Sequence, residues 1–143
     1  MRVQVAKDVN TLLPEYAKPG DAGADVRANI TIALTVSPGE SVMVPTGLKV
    51  AIPEGYEIQV RPRSGLAAKY GITVLNSPGT LDAGFRGEIH VVLINHGKLD
   101  FIISPKMRIG QLVMNKFETI EWDEVDKLPE SERGSGGFGH TGH

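Results

Sequence analysis

The sequence contains no cysteine among its 143 residues. That absence excludes disulfide staples, thiol nucleophiles and thiolate metal ligands, and it fits a reducing compartment such as the cytoplasm. Runs of one charge are missing too: 15 Lys+Arg and 17 Asp+Glu are scattered along the chain, for a formal net charge of -2. No basic stripe therefore offers a surface to duplex nucleic acid. No apolar stretch approaches the length of a membrane span. The opening MRVQVAKDVN lacks the apolar core of a signal peptide. The histidines at 90, 96, 140 and 143 show no zinc-ligand spacing. No serine stands in a nucleophile elbow, and no Walker-type phosphate loop appears. What remains is a cytoplasmic domain with no nucleic-acid or membrane partner, long enough to bury a core without staples.

Short runs with a period of two fill most of the chain, which places alternate side chains on one buried sheet face. Ile30, Ile32, Leu34 and Val36 interleave with Thr31, Ala33 and Thr35. Leu48, Val50 and Ile52 interleave with Lys49 and Ala51, and Tyr56, Ile58 and Val60 with Glu57, Gln59 and Arg61. Residues 107–114 alternate with both sets largely apolar. Residues 89–94 are apolar apart from His90, which predicts a strand buried on both faces. Turn signals at 37–39, 53–55, 77–79 and 95–97 punctuate these runs. The spacing predicts an all-β sandwich, jelly roll or barrel. One short helix is predicted over 64–70 (SGLAAKY), capped by Ser64.

The end of the chain is different. Residues 118–127 are acidic with few apolar positions, and glycine then recurs at 134, 136, 137, 139 and 142, too often for a stable strand or helix. The chain divides into a β domain, 1–127, and a flexible glycine-rich arm, 128–143. A disordered terminus is the commoner meaning of such an arm. Arg133 and Phe138 instead suit a flap that closes over an anionic, aromatic ligand.

Four further segments could carry chemistry. In 61–65 (RPRSG), Pro62 sets the backbone, the amides of Ser64, Gly65 and Leu66 would face an anion, and Arg63 could add a bidentate phosphate contact. A plain helix start beside a surface arginine is the ordinary alternative. Residues 76–87 (NSPGTLDAGFRG) suggest a tight irregular hairpin whose main chain could read a nucleobase edge. Asp82 lies within it as a candidate general base for water, or as a turn aspartate bonding its own backbone. Residues 19–25 (PGDAGAD) carry two carboxylates without the spacing of a cation loop and read as a brace for neighbouring loops. Residues 108–111 (RIGQ) set a cation and an amide on a late strand, where a solvated face would explain them equally.

Taken in order, these pieces resemble the five signature motifs of the trimeric dUTPases: 19–28 (PGDAGADVRA), 63–69 (RSGLAAK), 76–88 (NSPGTLDAGFRGE), 108–113 (RIGQLV) and 133–142 (RGSGGFGHTG). The resemblance implies a jelly-roll β-sandwich in a homotrimer, with active sites between subunits and the arm of a third chain closing each. It implies hydrolysis of dUTP to dUMP and pyrophosphate, limiting uracil incorporation into DNA and supplying dUMP for dTMP synthesis. By resemblance Asp82 deprotonates the water that attacks the α-phosphorus. Arg63, Ser64, Gly65 and Gln111 would hold the phosphates, and Asp25 would support the site. Arg133 would grip the γ-phosphate and Phe138 stack on uracil, with Gly139 and His140 beside them. The main chain around Asn76, Gly79, Thr80, Leu81 and His90 would read the uracil edge. Such a hairpin rejects cytosine by leaving polar groups unpaired, and thymine by leaving no room for its methyl. Mg²⁺ would ride on the triphosphate, held by substrate oxygens and water and by no dedicated protein ligands.

The chain departs from the family's pattern at three places. Phe85 stands where tyrosine is usual, keeping the ring against deoxyribose without the hydroxyl. Gly110 replaces alanine, and His140 replaces serine. Two rival functions share the fold. A dCTP deaminase needs a general acid/base glutamate on the strand after the hairpin, where this sequence has Val92 and where Glu88 comes too early. A non-catalytic nucleotide-binding module would not need the Asp82, Arg63, Ser64, Gln111 and Arg133 that the chain retains.

Overall fold

A computed structural model describes residues 1–142. Its strands are β1 (Gln4–Lys7), β2 (Gly23–Arg27), β3 (Leu34–Val36), β4 (Ser41–Pro45), β5 (Leu48–Ala51) and β6 (Tyr56–Arg61), followed by the helix α1 (Ser64–Tyr70). After it come β7 (Ile72–Val74), β8 (Gly79–Leu81), β9 (His90–Asn95), β10 (Phe101–Ile103) and β11 (Arg108–Lys116). One sheet has the order β2-β11-β6-β8 and a second β4-β9-β7, while β1-β5 and β10-β3 form two-stranded ribbons. The strand pairs are antiparallel. Val26, Ile58, Val60 and Leu112 of the first sheet meet Val44, Ile72, Val74, Val91 and Leu93 of the second in one buried cluster. Each such side chain contributes about 1.5–3 kcal/mol on burial, so this seam holds the layers together. The result is the all-β jelly-roll sandwich with one short helix that the strand pattern predicts.

The helix ends where Gly71 takes the left-handed conformation, φ 69, and its N–H bonds back to Ala67. A Cβ at Gly71 would stand 2.6 Å from the Gly97 amide nitrogen, so the helix end and the turn after β9 pack backbone to backbone. Buried Asn95 locks that turn: its Nδ2 donates to the carbonyls of Val36 and Leu99, both at 2.8 Å, and its Oδ1 accepts from Gly97 N–H.

Three local expectations are corrected. The predicted strand over 30–36 survives only as β3, because its partner β10 pairs with Leu34, Thr35 and Val36 alone, and Ile32 is exposed. The strand over 89–94 is buried on one face, not two: Ile89, Val91 and Leu93 are inaccessible, whereas His90, Val92 and Ile94 keep partial exposure. Ser64 is not the helix cap. That position falls to Arg63, in extended conformation and without a side-chain capping bond.

Candidate active site

One buried carboxylate organises the clearest polar cluster. Asp25, on β2, is 7% exposed. Its Oδ1 accepts from Arg63 Nε and from Gln111 Nε2, each at 3.2 Å, and its Oδ2 accepts from Arg108 Nη1 at 3.3 Å. A charge this deep is tolerated only when paired and hydrogen-bonded, and here three donors do so. The guanidiniums are spent on Asp25 through one nitrogen each, and both side chains stay partly open to solvent. They remain able to receive an anion. We expect Asp25→Asn to weaken binding of a triphosphate ligand and to cost about 1–2 kcal/mol of stability in urea denaturation, the low figure reflecting the arginines' access to water. Unchanged stability together with unchanged binding would remove Asp25 from the site.

The cluster depends on a defect in the sheet. Arg108 and Gln111 lie three residues apart, so a regular strand would send them to opposite faces. The β11–β2 register slips between Arg108 and Gly110, a bulge that swings both side chains toward Asp25. Gly23 supplies the space, since a Cβ there would stand 2.7 Å from Gln111 Oε1. In the sequence Arg108 figures only as the cation of the RIGQ segment, with no role assigned to it. Its signal was the RIGQ spacing, which means convergence only once the bulge is known.

At the start of α1, Leu66 N–H already donates to the Arg63 carbonyl at 3.1 Å, so the amides of Ser64 and Gly65, not Leu66, are the ones left for an anion. Within 19–25, Asp21 accepts from Lys18 N–H and closes the turn, leaving the bracing role to Asp25.

The segment with Asp82 lies elsewhere. It contains β8, which pairs with β6 so that Thr80 faces Gln59 and Leu81 faces Ile58. It is therefore an added strand rather than a simple hairpin loop. Gly79 is buried against Val60 and Asn76, while Asn76, Thr80 and Asp82 are exposed. Gln111 sits opposite Arg61 on the intervening strand. Two strand spacings and four residues of rise then separate Asp82 from Gln111 by roughly 16 Å. Phe85 lies across Gly87, where a Cβ would stand 2.7 Å from its Cζ. His90 turns its Nδ1 to the Glu88 carbonyl at 3.1 Å, and Glu88 Oε1 accepts from Gly47 N–H at 2.8 Å, so both are engaged locally.

Among the described residues, the hydrogen bonds of the arm run within the arm itself. Residues 131–142 form successive tight turns without strand or helix, and Phe138 is fully exposed. Arg133 Nε donates to the Gly136 carbonyl at 2.9 Å. One chain thus unites Asp25, Arg63, Gln111 and Arg108, and the hydrogen bonds that join them include neither the Asp82 segment nor the arm residues Arg133, Phe138, Gly139 and His140.

Residues 10–142 match the family model described as dUTPase. The deoxyuridine 5'-triphosphate nucleotidohydrolase of Fusobacterium nucleatum is 56% identical over 142 residues, covering 99% of this chain and 97% of that one. The Chlamydia pneumoniae protein of the same name is 60% identical over 131 residues, covering 91% and 90%. Among solved structures, the Staphylococcus bacteriophage 80alpha dUTPase with dUPNHPP superposes with a TM-score of 0.90 at 26% identity, over 99% of each chain.

Proposed function

The chain belongs to the dUTPase family, and from that membership we propose that it hydrolyses dUTP to dUMP and pyrophosphate in the cytoplasm, as a homotrimer with shared active sites. The observation that carries the reading is the Asp25 hub, which holds Arg63 and Gln111 as a ready-made grip for a phosphate chain. Arg108 is a third donor on the same carboxylate. Ser64 and Gly65 add the helix-start amides.

In this mechanism Asp82 takes a proton from a water that attacks the α-phosphorus, and pyrophosphate leaves. A general base must reach its water within hydrogen-bond distance, and that water must touch phosphorus. The roughly 16 Å between Asp82 and Gln111 in one chain is too far. Asp82 of one subunit acting on phosphates held by another resolves the conflict. The outer face of the β4-β9-β7 sheet supports assembly: Met43 and Leu75 are exposed beside half-buried Val92 and Ile94, an apolar patch that one chain leaves uncovered. Residues 128–143 act as the closing arm, with Arg133 on the γ-phosphate and Phe138 on the base. The main chain about Asn76, Gly79, Thr80, Leu81 and His90 reads uracil.

Both Asp25 oxygens are taken by donors, which fits an Mg²⁺ that would arrive on the substrate's own phosphate oxygens and water. When bound there, the ion neutralises developing negative charge.

A pyrophosphate-release assay across dUTP, dCTP, dTTP and UTP, with and without Mg²⁺, tests the reading. Turnover should be strongest with dUTP, and failure to release pyrophosphate from it would end the proposal. Ammonia from dCTP would instead revive the deaminase alternative. Phe85 keeps a ring where the sugar would lie, so we expect dUTP to be preferred over UTP by about 100-fold in kcat/KM. Comparable turnover would show that the ring alone does not exclude the 2′-hydroxyl.

A further inference from the structure

The arm carries a second basic side chain anchored on the same glycine as Arg133. Gly136 offers its carbonyl to Arg133 Nε at 2.9 Å. The imidazole of His140 lies directly over its Cα: a Cβ at Gly136 would stand 2.5 Å from His140 Cδ2 and 2.7 Å from Nε2. A larger residue at 136 would push that ring aside. The turn is completed by the His140 N–H bond to the Gly137 carbonyl at 3.1 Å, and Phe138 and Gly139 take positive φ, 50 and 82, to make the reversal. Arg133, Gly139, His140 and Thr141 then line one open concavity together with Glu132. Glu132 and Arg133 are the charged groups facing the imidazole there, among the described residues.

We propose that His140 is a second, titratable cation for the substrate's terminal phosphate, so that arm closure tightens as pH falls. The inference rests on the arm closing over a triphosphate, as in the reading above, and adds a pH-dependent grip to it. Arg133 is charged at every accessible pH, whereas histidine is the side chain that changes charge between about pH 5 and 8. A neutral imidazole offers the phosphate one ordinary hydrogen bond. An imidazolium offers a charge-assisted bond roughly twice as strong. An anion that binds the protonated form better must in turn hold that proton more tightly, by linkage. The added affinity is therefore present at low pH and lost as pH rises through the titration of the bound form.

The test uses the full chain and a dUTP analogue with an imido bridge between the α- and β-phosphates, so that binding is read without turnover. Its Kd is measured for the natural chain and for His140→Gln, which keeps a donor and cannot charge. The terminal phosphate loses its own last proton in the same range. That effect acts on both proteins and cancels in their ratio. The Kd ratio of variant to natural chain should be about fivefold larger at pH 6 than at pH 8.5. Linkage then requires the His140 NMR signal, assigned by its loss in the variant, to move to its protonated position at higher pH with analogue bound than without. A ratio that does not change with pH, or a ring titration that ligand does not move, overturns the inference while dUTP hydrolysis stands. A natural chain that binds no analogue at either pH overturns this inference and the proposed function together.

Discussion

Replacing Asp82 by asparagine is expected to lower kcat for dUTP by about 100- to 10,000-fold, the range a general base supplies, while the Kd of a non-hydrolysable analogue changes no more than a few-fold. The substitution preserves shape and removes only the capacity to take a proton. It should not disturb the fold. Asp82 is exposed in the chain, and its visible tie to the segment is the main-chain bond from Phe85 N–H to its carbonyl, which asparagine retains. Surface changes of this kind ordinarily shift stability by less than about 0.5 kcal/mol. The two readouts separate two roles. A fall in kcat with intact binding identifies the carboxylate as the base. An equal fall in both would make it a substrate-holding group, and unchanged kcat would remove it from the reaction.

Much of the architecture was legible because one-sided burial writes itself as a period of two. Leu48, Val50 and Ile52, and Ile58 with Val60, alternate as their strands require. The misreadings arose where a strand's fate depends on something outside its own residues. Residues 30–33 alternate equally well, but β10 offers three residues to pair with, and unpaired backbone does not stay a strand. The second apolar row on β9 is real, yet Val92 and Ile94 are only half covered by their own chain. An apolar row cannot say whether its cover comes from the same chain or from another copy.

The site was legible as five pieces and not as an arrangement. Asp25 was expected to support its neighbours, and its position under Arg63 and Gln111 agrees with that expectation. Arg108 escaped because a bulge, which inverts the facing of every residue before it, leaves no mark in residue type beyond the small Gly110. The capping role given to Ser64 failed for a simpler reason. The helix spans Ser64–Tyr70 as expected, so Ser64 is its first helical residue and Arg63 takes the extended cap position, from which its side chain turns toward Asp25.

Ending the chain after Glu130 should leave a folded protein that has lost catalysis. The arm contributes nothing to the buried cluster, so the sandwich should unfold at nearly its original denaturant concentration. Catalysis would lose a charged phosphate contact from Arg133 and a base-stacking contact from Phe138. Together these are worth about 2.5–6 kcal/mol, or a fall of about 70- to 25,000-fold in kcat/KM. The sharper result comes from mixing. Asp82→Asn chains lack the base and keep the arm; shortened chains keep the base and lack the arm. Refolded together into mixed assemblies, the two inactive proteins should regain activity if base and arm reach a given site from different subunits. With random assembly, about one site in four would receive Asp82 from a shortened chain and its arm from an Asp82→Asn chain. If one subunit supplied both, no combination could complete a site, and the mixture would stay as inactive as its parts. Recovery near one quarter of the natural activity therefore distinguishes a site shared among chains from one whose base and arm come together, without any structure of the assembly.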